Sequence, residues 1–388
     1  MEHERIRAAL RDASRGLVGR DALLELVVLA AVAREHLLVL GPPGTAKSEA
    51  VRRIARAFDA HTFEYLVGRF TEPTELFGPI DLQKLRDGVV ETRTEGMLPE
   101  AEFAFLDEIF LGSTAILNTL LGVLADRSFR RGHTQLTVPL RACVGASNTL
   151  PDDPALAAFA DRFLLRVFVE PVADGELESL LANGWLEPGA PRAASIADLD
   201  ALATAARAMD PSPVRPALAN AIRALRDAGV ALSDRRVVKV QRLVTAAAAL
   251  AGSPAPTESD LWPILYAVPT EEGQRIARTV LRGVLDRSRN PTLPAAAEDA
   301  SAGSWARAAR LVQQGSALLS APEPNDRGWT LALEAVAREI DAGFARDRLP
   351  TELSDVRARI VAAGFPVDAA GAATTIPGVL FQYRNGER

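Results

Sequence analysis

The sequence predicts an α/β fold: a parallel sheet flanked by helices, then an all-helical segment, then a small helical C-terminal extension. Three observations carry this. Up to about Val169, short apolar runs (Leu37–Leu40, Thr62–Leu66, Phe103–Leu106 and the stretch from Arg141) alternate with stretches of helical period. From Pro171 to about Arg287 the pattern changes to helices separated by Pro/Gly-rich joints, with no sheet signal. From about Asn290 a Pro/Ala-rich joint leads to Trp305–Leu319, Trp329–Phe344 and Thr351–Ala363, which read as amphipathic helices without a chemical motif. The expected division is therefore 1–170, 171–289 and 290–388.

The sheet segment is organised around His36-Leu-Leu-Val-Leu-Gly-Pro-Pro-Gly-Thr-Ala-Lys-Ser48. A buried strand ends at Gly41, and a helix follows whose Val51, Ile54, Ala55 and Phe58 share one face. A strand feeding a Gly-rich turn that opens a helix suits a polyphosphate. The turn Gly41, Pro42, Pro43, Gly44, Thr45, Ala46 offers backbone N–H groups, Lys47 reaches the outer phosphates, and Ser48 can hold Mg²⁺. Ala46 stands where the generic pattern has Gly, so that position is expected to keep φ negative.

Upstream, a helix around Ile6–Ala13 precedes Gly16-Leu-Val-Gly-Arg20, and a second helix runs from a capping Asp21 to Arg34. Leu17 and Val18 serve equally as a wall for an adenine ring or as core. Downstream, Asp87-Gly88 between Lys84-Leu-Arg86 and Val89-Val-Glu-Thr-Arg93 predicts a β-hairpin over Lys84–Thr94. A second hairpin is expected about Arg131-Gly132, and a helix over Ala115–Leu124.

Phe103-Ala-Phe-Leu-Asp-Glu108 is an apolar strand ending in two carboxylates. After a phosphate loop, Asp107 would contact Mg²⁺ through its water shell, as partner to Ser48, and Glu108 would polarise an attacking water. The strand from Arg141 ends in Ser147-Asn148, and parallel strands gather their C-terminal ends at one edge. Asn148 should therefore lie near Lys47 and Glu108, orienting water or a γ-phosphate. In the helical segment, Ala217–Ala228, Arg235–Ala251 and Ser259–Tyr266 are the clearest helices. Ser233-Asp234 caps the middle one and leaves Arg235 and Arg236 in its first turn, against the helix dipole, which points to an anionic partner.

Composition narrows the classes. The net charge of −6 disfavours a nucleic-acid motor. The single Cys143 excludes an internal disulfide and any multi-Cys metal site, and the four His show no ligand spacing. With no charged-then-apolar leader and no apolar run of membrane length, the cytoplasm is the expected compartment.

Taken together, Gly41–Ser48, Arg69–Pro79, Leu98–Glu102, Leu106–Ile109, Ala115–Leu120, Ala146–Asn148, Asp161-Arg162-Phe163 and Leu232–Arg236 resemble an AAA+ ATPase of the MoxR group, nearest its RavA-like branch. The resemblance covers roughly Gly16–Arg287, shares the Ala46 departure, and implies an AAA+ P-loop sheet with an all-α lid, using ATP and Mg²⁺. By the same resemblance Asn148 is sensor 1, and Arg162 an arginine finger for a neighbour's γ-phosphate, with Arg166 one turn on. Arg235 is sensor 2, with Arg236 held open as the alternative. The Lys84–Thr94 segment matches the helix-2 insert, and the Arg131-Gly132 hairpin the pre-sensor-1 insert. Members form hexameric rings, act in a chaperone-like way, and commonly work with a von Willebrand factor A domain protein. A remodelling or metal-loading motor is then the first expectation, and a nucleotide-gated scaffold the second. The segment after Asn290 does not match the RavA insertion, so no RavA partner is carried over.

Overall fold

The computed structural model describes residues 2–172, 176–184, 194–301, 304–320, 327–343 and 351–364. It falls into two compact units, Met1–Gly303 and Ser304–Arg388.

In the first unit five strands form one parallel sheet. They are β1 (Leu37–Leu40), β2 (Thr62–Leu66), β3 (Phe103–Asp107), β6 (Ala142–Ser147) and β7 (Leu165–Phe168), in the order β2-β3-β6-β1-β7, while β4 (Ser128–Arg131) and β5 (Thr134–Thr137) make a separate hairpin. Every residue of β1 is buried. Its alternation is resolved two ways: Leu37 and Val39 join one core, Leu38 and Leu40 the other. The helices of the sheet part are α1 (Glu2–Ser14), α2 (Asp21–Ala33), α3 (Lys47–Ala57), α4 (Pro73–Phe77), α5 (Leu82–Arg86), α6 (Thr114–Asp126) and α7 (Pro154–Ala160). The helical part adds α8 (Leu177–Asn183), α9 (Ile196–Ala208), α10 (Arg215–Asp227), α11 (Asp234–Ala251), α12 (Glu271–Val280), α13 (Arg282–Leu285) and α14 (Pro294–Ala300).

One apolar core runs from α1, α2 and α3 into α9–α14 without a break at the expected joint, Glu170-Pro171. Ion pairs cross the same seam, with Lys239 and Arg242 of α11 on the buried Glu35, and Arg5 on Asp198. Asn290, expected in a loose joint, is buried: its Nδ2 donates to the Ala247 carbonyl and its Oδ1 accepts from Thr292 and Leu293 N–H. The second unit has α15 (Ser304–Leu319), α16 (Arg327–Gly343) and α17 (Thr351–Gly364), with Phe344, the expected end of α16, outside the described residues. These helices close around Leu311, Leu333, Val336, Ile340, Leu353, Val356 and Ile360. Gly315 permits the approach, since a Cβ there would lie 2.6 Å from Val356 Cγ1.

Three local expectations are corrected. Residues 82–86 form a helical turn, not a hairpin strand, because Asp81 accepts from Gln83 and Lys84 N–H and Gly88, at φ 79°, closes the turn; only Ile80 and Thr92 pair as an antiparallel bridge. Asp21 is the first residue inside α2 rather than its cap, the cap position being Arg20, which makes no capping bond. Ser259–Tyr266 is two 3₁₀ segments, Glu258–Asp260 and Trp262–Ala267, where Pro263 removes a donor that an α-helix needs.

Candidate nucleotide site

The loop between β1 and α3 is held by its two ends. Gly41 N–H donates to the Ser147 carbonyl, and any Cβ on Gly41 would lie 2.1 Å from the Val169 carbonyl, so only glycine passes between β6 and β7 here. Thr45 Oγ1 donates to the Pro42 carbonyl, and Lys47 Nζ donates to the carbonyls of Gly41 (2.7 Å) and Pro42 (3.0 Å). Ala46 sits at φ 59°, ψ 28°. The expected negative φ is therefore wrong: the turn demands the left-handed conformation, and Ala46 adopts it at a cost of about 1–2 kcal/mol. The backbone N–H groups of Gly44, Lys47 and Ser48 reach no carbonyl among the described residues, and a Cβ on Gly44 would meet nothing within 4 Å. An open loop with orphaned donors at a helix start fits a phosphate chain.

The carboxylates face this loop. Burial lowers the Lys47 pKa, while Asp107 and Glu108 act on it in the opposite direction, which places both acids near the ammonium. Asp107 Oδ1 accepts from Glu108 N–H at 3.0 Å. Glu108 itself is left-handed (φ 49°, ψ 41°), so the chain turns sharply at the end of β3 and separates the two carboxylates. Asn148 Nδ2 donates to Glu108 Oε1 at 2.9 Å, the proximity expected from the parallel sheet. Ser48 is half-buried at the start of α3. Its hydroxyl oxygen and the Asp107 carboxylate are donors of the oxygen type that Mg²⁺ takes.

The remaining residues separate. Leu17 is buried in the core beside α1 and α2, whereas Val18 is half-exposed. Arg162 follows α7 in a turn, and its Nε is buried with no acceptor among the described residues. Arg166 lies on β7, not on a helical turn, and its Nη1 donates to the Pro269 carbonyl. Burial first, then the neighbouring Arg236, brings its pKa down to about 9. Arg235 is exposed. Arg236 is 1% exposed and faces Asp161, so it does not face the nucleotide loop in this structure, and the anion that offsets its charge is a side chain of the protein.

Sequence reading missed Arg20. Its buried guanidinium donates through Nε to the Thr45 carbonyl (2.9 Å) and through Nη2 to the Glu170 carbonyl (2.8 Å), tying the phosphate loop to the end of the sheet part. A lone Arg in Gly-Leu-Val-Gly-Arg carries no local signal of partners 25 and 150 residues away.

Known proteins resemble much of this chain. The family model describing the MoxR domain of MoxR–vWA–β-propeller ternary systems matches residues 4–204, just over half of the 388. An uncharacterised protein of Methanocaldococcus jannaschii is 37% identical over 239 residues, 61% of this chain and 64% of that protein. The chaperone MoxR1 of Mycobacterium tuberculosis is 30% identical over 199 residues, 49% of this chain and 51% of its own length. In both cases the chain spans less than two thirds of the relative. A crystal structure of an inferred ATPase from Cytophaga hutchinsonii shares the fold at a TM-score of 0.59 and 16% identity, covering 74% of this chain and 96% of that one. The chain therefore belongs to the MoxR family of AAA+ ATPases.

Proposed function

We propose that the chain binds Mg²⁺–ATP on Gly41–Ser48 and hydrolyses it as one subunit of a ring. The observation that carries this is the Asn148–Glu108 hydrogen bond set beside a phosphate loop whose Gly44, Lys47 and Ser48 N–H groups reach no carbonyl among the described residues. In this reading Lys47 exchanges its two loop carbonyls for phosphate oxygens. Glu108 accepts the proton of the water that attacks the γ-phosphorus as the bond to the bridging oxygen breaks. Asn148 holds the Glu108 carboxylate in one orientation, leaving its second oxygen for water. Ser48 and Asp107 would hold Mg²⁺, which when bound would offset charge on the phosphate oxygens. Val18 borders the adenine, and Arg235 senses the γ-phosphate from the lid. Arg162 supplies the finger to a neighbouring subunit.

The matched domain description supports a von Willebrand factor A domain partner, and the chaperone-named relative supports a chaperone-like role; remodelling or metal loading of a protein client is our own reading. Arg69–Pro79 and Leu232–Arg236 support a place near the RavA-like branch. The three-part reading, with a sheet domain to 170, a lid to 289 and an extension beyond, stays our functional division. Phosphate release from Mg²⁺–ATP tests the proposal. Glu108→Gln should keep ATP affinity and lose turnover by about 10²-fold or more, since an amide cannot accept the proton. Wild-type turnover in that variant would move the base elsewhere, and tight binding with no turnover in the wild type would favour a nucleotide-gated scaffold.

A further inference from the structure

Arg236 holds the segment that carries Arg162 from both sides. Its Nε donates to Asp161 Oδ1 at 2.6 Å, its Nη2 to the Phe163 carbonyl at 2.9 Å, and its Nη1 to the Leu164 carbonyl at 2.8 Å. A fourth bond, Nη1 to the Ala267 carbonyl at 2.8 Å, anchors the same guanidinium to the helical part. Ser233, the cap of α11, lies 3.4 Å from the other Asp161 oxygen. Thus the first turn of α11 grips residues 161, 163 and 164, and Arg162 sits in the middle of the grip. Arg235, one residue earlier and about 100° around the helix, points to solvent.

We propose that Arg236 is a positioning residue that couples the nucleotide state of one subunit to the finger it offers the next. The inference rests on the reading of Arg162 as a finger. A shift of the α11 start, driven by Arg235 and the subunit's own nucleotide, carries the 161–164 segment with it, because three bonds of one planar guanidinium connect them. The same side chain therefore has no role at its own subunit's phosphates. Its loss acts on the neighbour.

Mixed assemblies test this. Arg236→Lys, which keeps the charge and loses the fork, should lower ATPase turnover of the homogeneous protein by about tenfold or more, with ATP affinity unchanged. Mixed with Glu108→Gln subunits, which cannot hydrolyse but offer an intact finger, it should regain turnover above the sum of the two proteins assayed apart. Arg162→Ala mixed with Glu108→Gln should regain turnover in the same way. If Arg162→Ala complements and Arg236→Lys does not, the coupling is wrong and the finger stands. If Arg162→Ala alone keeps wild-type turnover, the finger reading falls and takes the coupling with it. Asp161→Ala, which removes the acceptor of the Nε bond, repeats the test should Arg236→Lys melt below the assay temperature; wild-type turnover in a folded Asp161→Ala protein also overturns the proposal.

Discussion

The starts of α3 and α11 invite comparison, because each helix opens with a cation in its first turn, where the dipole opposes it. At α11 the fold resolves the conflict. Ser233 caps the Arg236 N–H, Asp161 balances the guanidinium, and three carbonyls take three more of its N–H groups. At α3 it does not. Ala46 holds a left-handed conformation, no side chain caps the helix, and the hydrogen-bond acceptors of Lys47 among the described residues are two carbonyls of its own loop. A helix end closed by its own chain holds a structure together, whereas one left strained and unpaired is prepared for a ligand. The start of α14 is a third case, with the Ala296 N–H donating to the buried Glu25 carboxyl at 2.7 Å.

The contrast can be broken in order of expected effect. Lys47→Ala should weaken ATP binding by on the order of 10²-fold or more while leaving the melting temperature of the unliganded protein in place. Isothermal titration showing wild-type affinity would remove the phosphate-loop assignment. Arg236→Ala should do the reverse, costing about 3 kcal/mol in urea unfolding because it strands Asp161 and three carbonyls. A cost near zero would mean that the α11 start is as open as that of α3.

Glu25 gives a pH test of the third helix end. Burial raises its pKa to about 8, from an ordinary carboxyl value near 4.5. The folded state then binds a proton that the unfolded state has released, so stability is full below the lower value and falls as pH rises toward the upper one, by about 1.4 kcal/mol per pH unit at most. Glu25→Gln should flatten that slope in melts taken from pH 5 to 8, and an unchanged slope would assign the dependence to another group.

Arg235→Ala should leave stability within about 0.5 kcal/mol, since the side chain is exposed, yet lower the ATP-to-ADP affinity ratio severalfold. Unaltered ratios in titrations of both nucleotides would leave Arg235 without a sensing role. The smallest effect is expected from Ala46→Gly, which should raise stability by about 0.5 kcal/mol, the relief of the left-handed strain exceeding the added chain entropy. A loss of stability there would show that the loop is not strained.

What was legible in the chain was whatever is local. The strand, loop and helix around Lys47, the Asp107–Glu108 strand end and the polar tip at Asn148 are contiguous strings, and a parallel sheet brings their C-terminal ends together by topology alone. The first strand's apolar run and the Arg131-Gly132 hairpin follow from period and turn chemistry in the same way. Where two local signals competed, the sequence alone misled: Asp87-Gly88 suggested a hairpin, but Asp81, six residues earlier, capped a helical turn instead.

Tertiary structure decided the rest, because it depends on groups far apart in the chain. The sign of φ at Ala46 follows from how β1 and α3 are held in the sheet, not from the residue's own preference. Arg235 and Arg236 are indistinguishable as neighbours in a string, and only the packing of α11 against 161–164 buries one and exposes the other. Arg20 acquires its role from two carbonyls contributed by the loop and by the far end of the sheet domain. A guanidinium has five donors in a fixed plane, and which acceptors fill that plane is settled only when the elements that bear them have packed.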